Sequence, residues 1–539
     1  MRVLLTVAFI AISWGCQSTP VDYGSILDKP SNGEPVSIDR LNDALLNLPD
    51  LPRHMERLVD LEQQALQLVE DEPLKLGSIG TAILDIYYGS LTGHYVLERF
   101  YRYLESPEAD NHALWVENIR AHMEDGADGS REQPYASLTA VEAHIYLLSM
   151  DMSPVGSMYQ TSEERPFTLL LQARRETGGV SALHFDLGGV YQAMSKRFGQ
   201  TSEFHPVALM YHQARQGDSA AQTAIGGYLA SQNELDSAVD WLRAASRTGN
   251  LLANSFLARI YWERASTASD PELKEAALDG VLENYLHAIA LGSVDAMYAL
   301  GVLYLNTHYG DENVLSGVPL LKQAAESGHS DAAMFLAHMH YTGEAVQKDT
   351  QLAATYYIQA SDLGNPFARR AYARFLLAEQ RDDTRIINWL KDLAEVDDAE
   401  AMVLLGNLHA RGVGTRQRLR RAVGWFKDAV AISPGNADIV NEVAWTLTVS
   451  DLQGLKRQRY ALKIMDKLME SDSDARTKPE YLDTWAAAYA ANGDFQRAIA
   501  IQQQAVETAK DEQYASVRRV LQAHLEAFQN GETITEKAP

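Results

Sequence analysis

The chain reads as an all-α protein: a right-handed superhelix of paired helices repeated along a solenoid. Three features point there. A short pattern recurs through residues 205–434: a glycine, an alanine four residues on, and a glycine or alanine nine residues on. It begins at Gly217 (Ala221, Gly226), Gly249 (Ala253, Ala258), Gly292 (Ala296, Gly301), Gly328 (Ala332, Ala337) and Gly364 (Ala368, Ala373). It occurs once more from Asp397 (Ala401, Gly406), where aspartate stands in the glycine's place. The steps between starts are 32, 43, 36, 36 and 33 residues, the period of a helical array with insertions. Lastly, no clear β-alternation appears anywhere.

One unit, Leu320 to Gly343, shows the physics. Apolar and small residues precede Gly328 at helical spacing, and the glycine supplies a left-handed turn that ends a helix without steric cost. Asp331 suits the start of a second helix. The two small residues of the pattern are five apart, about 140° around a helix, so they serve different faces. We read the first as the close crossing with the partner helix and the second as the contact with the neighbouring repeat. Met334, Phe335 and Leu336 fill the remaining space. No single pair of such helices buries its apolar surface alone, so the pairs must stack.

The stretches GSVDAMYALGVLY, GHSDAAMFLAHMHYTGEAVQKD and AEAMVLLGNLHARGVGT resemble Sel-like repeats, longer cousins of the tetratricopeptide repeat. Downstream, Tyr481 to Ala509 resembles a tetratricopeptide repeat, with Trp485, Tyr489, Gly493, Ala498 and Ala505 at that family's packing positions. The preceding PGNADIVNEVAWTLTV is similar to the first helix of another such unit. The resemblance covers roughly half the chain. It implies protein–protein scaffolding, without catalysis and without a cofactor.

The amino terminus carries a different signal. Met1 and Arg2 precede an apolar run, Val3 to Ile12, too short to span a membrane and suited to the core of a signal peptide. Gly15 and Cys16 follow, and Cys16 is the chain's one cysteine. Its position resembles the lipobox of bacterial lipoproteins, with Ser13 and Trp14 departing from the preferred residues. The resemblance implies that residues 1–15 are removed, that Cys16 is acylated, and that Gln17 directs the protein to the periplasmic side of the outer membrane. Ordinary secretion to the periplasm is the alternative. With no second cysteine, the mature chain has no disulfide framework. Residues 16–40, rich in Pro, Gly, Ser and Asp, read as a flexible tether.

Composition bounds the partners. The 539 residues carry a net charge of −25 and are 46% hydrophobic. That hydrophobic share supports a folded body. The charge opposes nucleic-acid binding, which rests on phosphate neutralisation, and opposes adhesion to anionic lipid, leaving acyl chains on Cys16 as the membrane contact.

Residues 41–204 read as helices throughout, either degenerate repeats that cap the solenoid or a separate helical domain. Leu58, Leu61, Ala65 and Leu68 mark one amphipathic helix, and Gly77 to Ser106 reads as a helical pair. Glu124 to Pro134 is a loop, and the segments from Tyr135 to Pro154 and from Pro166 to Phe198 read as further helices. Sel-like repeats occupy 205–434 and tetratricopeptide-like repeats 435–510. A helix and tail fill 511–539, and the polar stretch from Gly531 is expected to fray.

Catalytic and metal signals are weak. His338 and His340, two apart on a helix, point to different faces, so with His308 and His329 they do not read as a metal site. The acids of Glu124 to Gly129 do not fall at the positions of a calcium loop. No nucleophile elbow, P-loop, zinc-protease or dinucleotide fingerprint is present. The local anomaly is basic: Arg411, Arg416, Arg418, Arg420, Arg421 and Lys427, then Lys456, Arg457 and Arg459, in an acidic protein. Brought onto one face, they would bind an anion, an acidic polysaccharide or an acidic partner loop, since arginine pairs carboxylate and phosphate through two hydrogen bonds. The plainer reading is a solvated face paired with neighbouring Asp and Glu.

The functional expectation is a periplasmic, outer-membrane-anchored scaffold that holds an envelope protein on the concave face of the solenoid. An accessory lipoprotein of exopolysaccharide export or envelope assembly is a second reading. An enzyme with its site in residues 41–204 is a third, which converging titratable groups in a pocket would favour.

Overall fold

The computed structural model describes residues 37–175, 179–199, 204–306, 314–510 and 515–537. These fall into two compact units, dividing between Ser327 and Gly328.

The first unit opens with helices α1 (Ile38–Leu46), α2 (Leu51–Leu68), α3 (Leu76–Ile86), α4 (Leu91–Tyr103) and α5 (Glu108–Glu124). Strand β1 (Tyr135–Ala136), α6 (Ala140–Ser149), β2 (Met152–Gln160), β3 (Thr168–Arg175), β4 (Val180–Asp186) and α7 (Gly188–Phe198) follow. Then come α8 (Pro206–Arg215) and three helix pairs: α9 (Ser219–Ser231) with α10 (Leu235–Ser246), α11 (Leu251–Thr267) with α12 (Pro271–Ala290), and α13 (Val294–Leu305) with α14 (Val314–Glu326). The second unit has five pairs: α15 (Ser330–Thr342) with α16 (Thr350–Asp362), α17 (Pro366–Glu379) with α18 (Arg385–Glu395), α19 (Ala399–Arg411) with α20 (Leu419–Ile432), α21 (Ala437–Val449) with α22 (Gln458–Ser471), and α23 (Pro479–Ala491) with α24 (Phe495–Thr508). Helix α25 (Ala515–Gln529) closes it. This is the helical-repeat solenoid expected from the sequence.

Each repeat turn joins two helix ends in few residues. The pattern's glycines sit in the left-handed region, at φ +91° for Gly217, +79° for Gly249, +93° for Gly292, +91° for Gly328 and +85° for Gly364. The following residue then closes the old helix and caps the new one. The Asn365 amide donates back to Ala360 O at 3.1 Å, while its side-chain oxygen accepts from Ala368 N at 2.9 Å. Asp218, Ser293 and His329 cap Ala221, Ala296 and Ala332 in the same way, at 2.8, 3.1 and 3.1 Å. So the repeated alanine is the residue whose amide takes the cap, and the cap lies directly after the glycine; Asp331 is a first-turn acid. Asp397 adopts the same turn at φ +63°. An L-residue is strained there. Asp397→Gly is expected to raise the stability of the second unit by roughly 0.5–1 kcal/mol, read from urea midpoints.

The second small residue packs against the helix that follows its own. A Cβ added at Gly226 would stand 2.5 Å from Leu242 of α10, at Gly301 3.0 Å from Leu321 of α14, and at Gly406 2.3 Å from Phe426 of α20. In the frame of Leu320 to Gly343 that helix belongs to the neighbouring repeat, as expected; what changes is the pairing, since this crossing is more extensive than the one across the glycine and makes the two helices one pair. Leucine or phenylalanine from the second helix fills the groove that the missing side chain leaves.

Residues 135–186 overturn the expectation of helices throughout 41–204. They contain a sheet in the order β1-β4-β3-β2. β2 and β3 pair antiparallel, with a bulge between Pro154 and Gly156; β3 pairs antiparallel with β4, and β1 parallel with β4. Both faces of β3 are covered, so Thr168–Leu171 is one buried run without alternation. β2 lies across the starts of α9 and α11. The Asn250 amide donates to Ser157 O at 2.8 Å and to Ser219 Oγ at 3.0 Å, while its oxygen caps Leu252 N at 3.1 Å. A Cβ on Gly292, at the start of α13, would stand 2.9 Å from Arg174 of β3.

The tail is also corrected. The Glu536 amide donates to Val449 O at 2.8 Å, Asp451 N donates to Glu536 O at 2.7 Å, and Trp445 Nε1 reaches the Glu536 carboxylate at 3.0 Å. Residues up to Glu536 are therefore held against α21 instead of fraying.

Candidate partner-binding surface

In the second unit the first helices of successive pairs touch, α17 with α19, α19 with α21 and α21 with α23, more closely than the second helices do. The row of first helices is thus the inside of the bend. Its charges neutralise one another: Arg370 of α17 meets both Asp398 and Glu400 at the start of α19, with Nε 2.9 Å from Glu400, and Arg374 also pairs with Glu400. Glu442 of α21 accepts from Asn407 at 3.3 Å.

The edge where second helices begin is different. Three of these helices start alike, the amide of the residue before the helix donating to a carbonyl near the end of its first helix. The bonds are Asp349 to His340 (2.8 Å), Arg418 to His409 (2.8 Å) and Arg457 to Leu447 (2.9 Å). At α16 the residue is aspartate, and its carboxylate caps Gln351 N at 2.9 Å and Leu352 N at 3.0 Å. At α20 and α22 it is arginine. Neither helix has a side-chain cap, and neither has an acid in its first turn. Arg420 and Arg421 then follow in α20, and Arg459 in α22. A cation at the positive end of a helix dipole runs against local stability. Arg418→Asp is expected to restore the cap and raise stability by about 1 kcal/mol, read from urea unfolding of the intact chain.

The structure brings the two basic segments together. Gly454, two residues before Lys456, packs on Leu419 so closely that a Cβ there would stand 2.5 Å from its Cδ1. Lys427 Nζ lies 5.2 Å above the Tyr460 ring. Arg411 closes α19 half-buried, Arg416 is exposed in the connection, and Arg418, Arg420, Arg421 and Arg459 are exposed, with Lys456 and Arg457 half-buried. Among the described residues none of the eight forms an ion pair. The Arg457 side chain bonds only to the backbone carbonyls of Gly454 and Lys456. By contrast, Arg385 at the start of α18 is held by Asp383 at 2.7 Å. The reading as a face paired with neighbouring acids does not describe this geometry.

His409, buried at the end of α19, registers the crowding of positive charge. Burial pushes its pKa down to about 4, and Arg421, Arg418 and Lys391 push the same way. Neither ring nitrogen has a hydrogen-bond partner. From the basic edge a groove of about 780 Å³ opens between the end of α20 and α22. Arg459, Lys463 and Lys467 stand on it, and Val430, Tyr460 and Ile464 supply apolar wall.

In the first unit, titratable groups do converge. Glu62 of α2, 1% exposed, accepts from Thr139 Oγ1 at 2.6 Å and Ser90 Oγ at 3.2 Å, the residues that cap α6 and α4. Glu142 accepts from Leu138 N at 2.8 Å, Ser137 Oγ at 3.1 Å and Leu91 N at 3.4 Å. Burial pushes the Glu62 carboxyl up to about 8, with Glu142 adding to the rise. Glu142 also borders a cavity of about 350 Å³ with Tyr87, His122 and Asp186. Its oxygens are occupied by those three donors, so the pair ties helix starts together. Nearby, His94 Nδ1 lies 3.0 Å from His112 Nδ1 and its Nε2 2.9 Å from Tyr88 O, with Trp115 stacked on the ring; burial lowers the pKa of both, His94 to about 3. Sequence reasoning missed these groups. The signals were Glu62 on the apolar stripe of Leu58 and Ala65, and the Thr139-x-x-Glu142 capping box.

Of the other residues singled out, Cys16 and His308 lie outside the described residues. His329 is a cap, His338 faces solvent, and buried His340 stacks on Tyr356 with centroids 5.9 Å apart.

Residues 294–329, 330–365 and 399–430 match the Sel1 repeat family. Solved structures with similarity include a Sel1 repeat protein from Oxalobacter formigenes, 22% identical over 46% of this chain and 98% of that one, TM-score 0.34. A protective antigen of uropathogenic Escherichia coli strains displaying an SLR fold is 16% identical over 90% and 98%, TM-score 0.42. Yeast Tom70 is 12% identical over 92% and 91%, TM-score 0.32.

Proposed function

We propose that this chain, which carries Sel1 repeats, is a periplasm-facing scaffold anchored to the outer membrane through acyl chains on Cys16, and that it holds an envelope protein. Sel1 and tetratricopeptide-like repeats are typical of protein interaction scaffolds and generally non-catalytic. The observation that carries the reading is the run of stacked helix pairs, an architecture in which each pair packs on its neighbours and leaves an extended surface open along the array. The anchor rests on the apolar run Val3 to Ile12 followed by Gly15 and Cys16. Crosslinking in native cells, followed by purification, tests both. A stoichiometric envelope protein, diminished when Cys16 is changed to Ala, is the expected result. Absence of any protein partner sinks the scaffold, and equal capture by Cys16→Ala sinks the role of the anchor.

A further inference from the structure

We propose that the basic edge at the starts of α20 and α22, with the groove that continues from it, docks an acidic segment of a partner protein carrying carboxylates at one end and apolar side chains at the other. This rests on the scaffold reading and names where the partner sits. It places that segment away from the inner row of first helices.

Four observations converge. Residues 411–427 hold six cations and no acid in a chain of net charge −25. Folding brings Lys456, Arg457 and Arg459 beside them through the Gly454–Leu419 contact. The arginines make no ion pair with described residues, whereas those of α17 and α18 are matched. At the second helices of two successive pairs, α20 and α22, arginine stands where the equivalent position of α16 has a capping aspartate. Local stability is given up twice at one edge, with no return inside the fold. Such a lapse is expected where a residue serves a ligand. Carboxylates match the guanidinium fork, and they also reach the uncapped amides of the first turns.

The groove decides between anions. The aliphatic Val430 and Ile464 would remain unused against a hydroxylated sugar polymer, and a flat lipid surface does not enter a groove. An acidic peptide with apolar residues fills both parts. Of the lining carboxylates, Asp466 already accepts from Trp485 at 2.7 Å and Tyr489 at 3.0 Å. Glu470 is exposed.

The test uses the full chain in non-ionic detergent and a fluorescent peptide carrying glutamates at one end and leucines at the other. Anisotropy is expected to show binding that weakens with salt. It should weaken at least about tenfold in Arg418→Asp/Arg420→Glu/Arg421→Glu, and again when serine replaces the peptide's leucines. The triple variant should unfold no earlier than the parent, which separates lost binding from lost folding. Peptide binding unchanged in that variant overturns the proposal. So does tighter binding of polygalacturonate, or of phosphatidylglycerol in mixed micelles of the same detergent, that is indifferent to Ile464→Ser. The same variant carried into the cellular crosslinking distinguishes the two readings. Loss of the partner supports docking here. Retention of the partner overturns docking at this edge and leaves the scaffold standing. No partner with either form sinks both.

Discussion

Glu62→Gln should leave the first unit nearly unchanged in stability at about pH 5 and make it roughly 3–5 kcal/mol more stable than the parent at about pH 9. The carboxyl is 1% exposed and titrates at about 8 in the folded chain against an ordinary 4.5. Folding therefore takes up a proton between those values. The stability that the protonated group supplies is complete below about 4.5 and is lost as pH rises through about 8. Glutamine resembles the protonated form and has no proton to lose, so its stability does not fall over that window. The Ser90 and Thr139 hydroxyls can turn to meet an amide. Urea unfolding across this pH range reads the difference directly. Parallel pH profiles for parent and variant would show that Glu62 is ionised throughout, and that burial is offset at this site by its hydrogen bonds.

Gly406→Ala and Gly424→Ala should move stability in opposite directions, although both lie inside helices of one pair. Alanine ordinarily gains roughly 0.5–1 kcal/mol over glycine in a helix interior. At Gly424 nothing lies within 4 Å of the added Cβ, so that gain should appear. At Gly406 the Cβ would meet Phe426 ring atoms at 2.3, 2.6 and 2.8 Å, and Phe426 is fully buried with no space to retreat. Overpacking of that kind costs about 1–3 kcal/mol. A gain for both variants in urea unfolding would mean that Phe426 has an alternative rotamer available.

The repeats were legible because glycine advertises a left-handed turn, and the turn recurs. Asp397 was placed by register alone, and it takes the turn without the glycine. The cap was less visible, since Asp218, Asn250, Ser293, His329, Asn365 and Asp398 are four residue types sharing one function. The sheet was hidden for two reasons. β2 carries Pro154, Gly156 and a bulge that break its alternation, and the buried run of β3 has the leucine content of a helix. The basic cluster was visible as composition. That its members go unpaired depends on where α19, α20 and α22 put every acid, which no window of sequence contains.

The strand across α9 and α11 changes how part of the solenoid bears load. Repeats that touch only their neighbours stretch and twist like a coil spring, each turn yielding a little. β2 bonds to Asn250 at the start of one repeat, Asn250 bonds in turn to Ser219 at the start of the one before, against which β2 also packs, and Arg174 of β3 reaches a third at Gly292. These turns are riveted to one bar, so extension of any of them has to shear the sheet. The first unit then behaves mechanically as a rigid bracket, and elastic compliance falls to repeats without such a bar. Amides of α9 and α11 should accordingly exchange hydrogen as one block, with a single opening free energy.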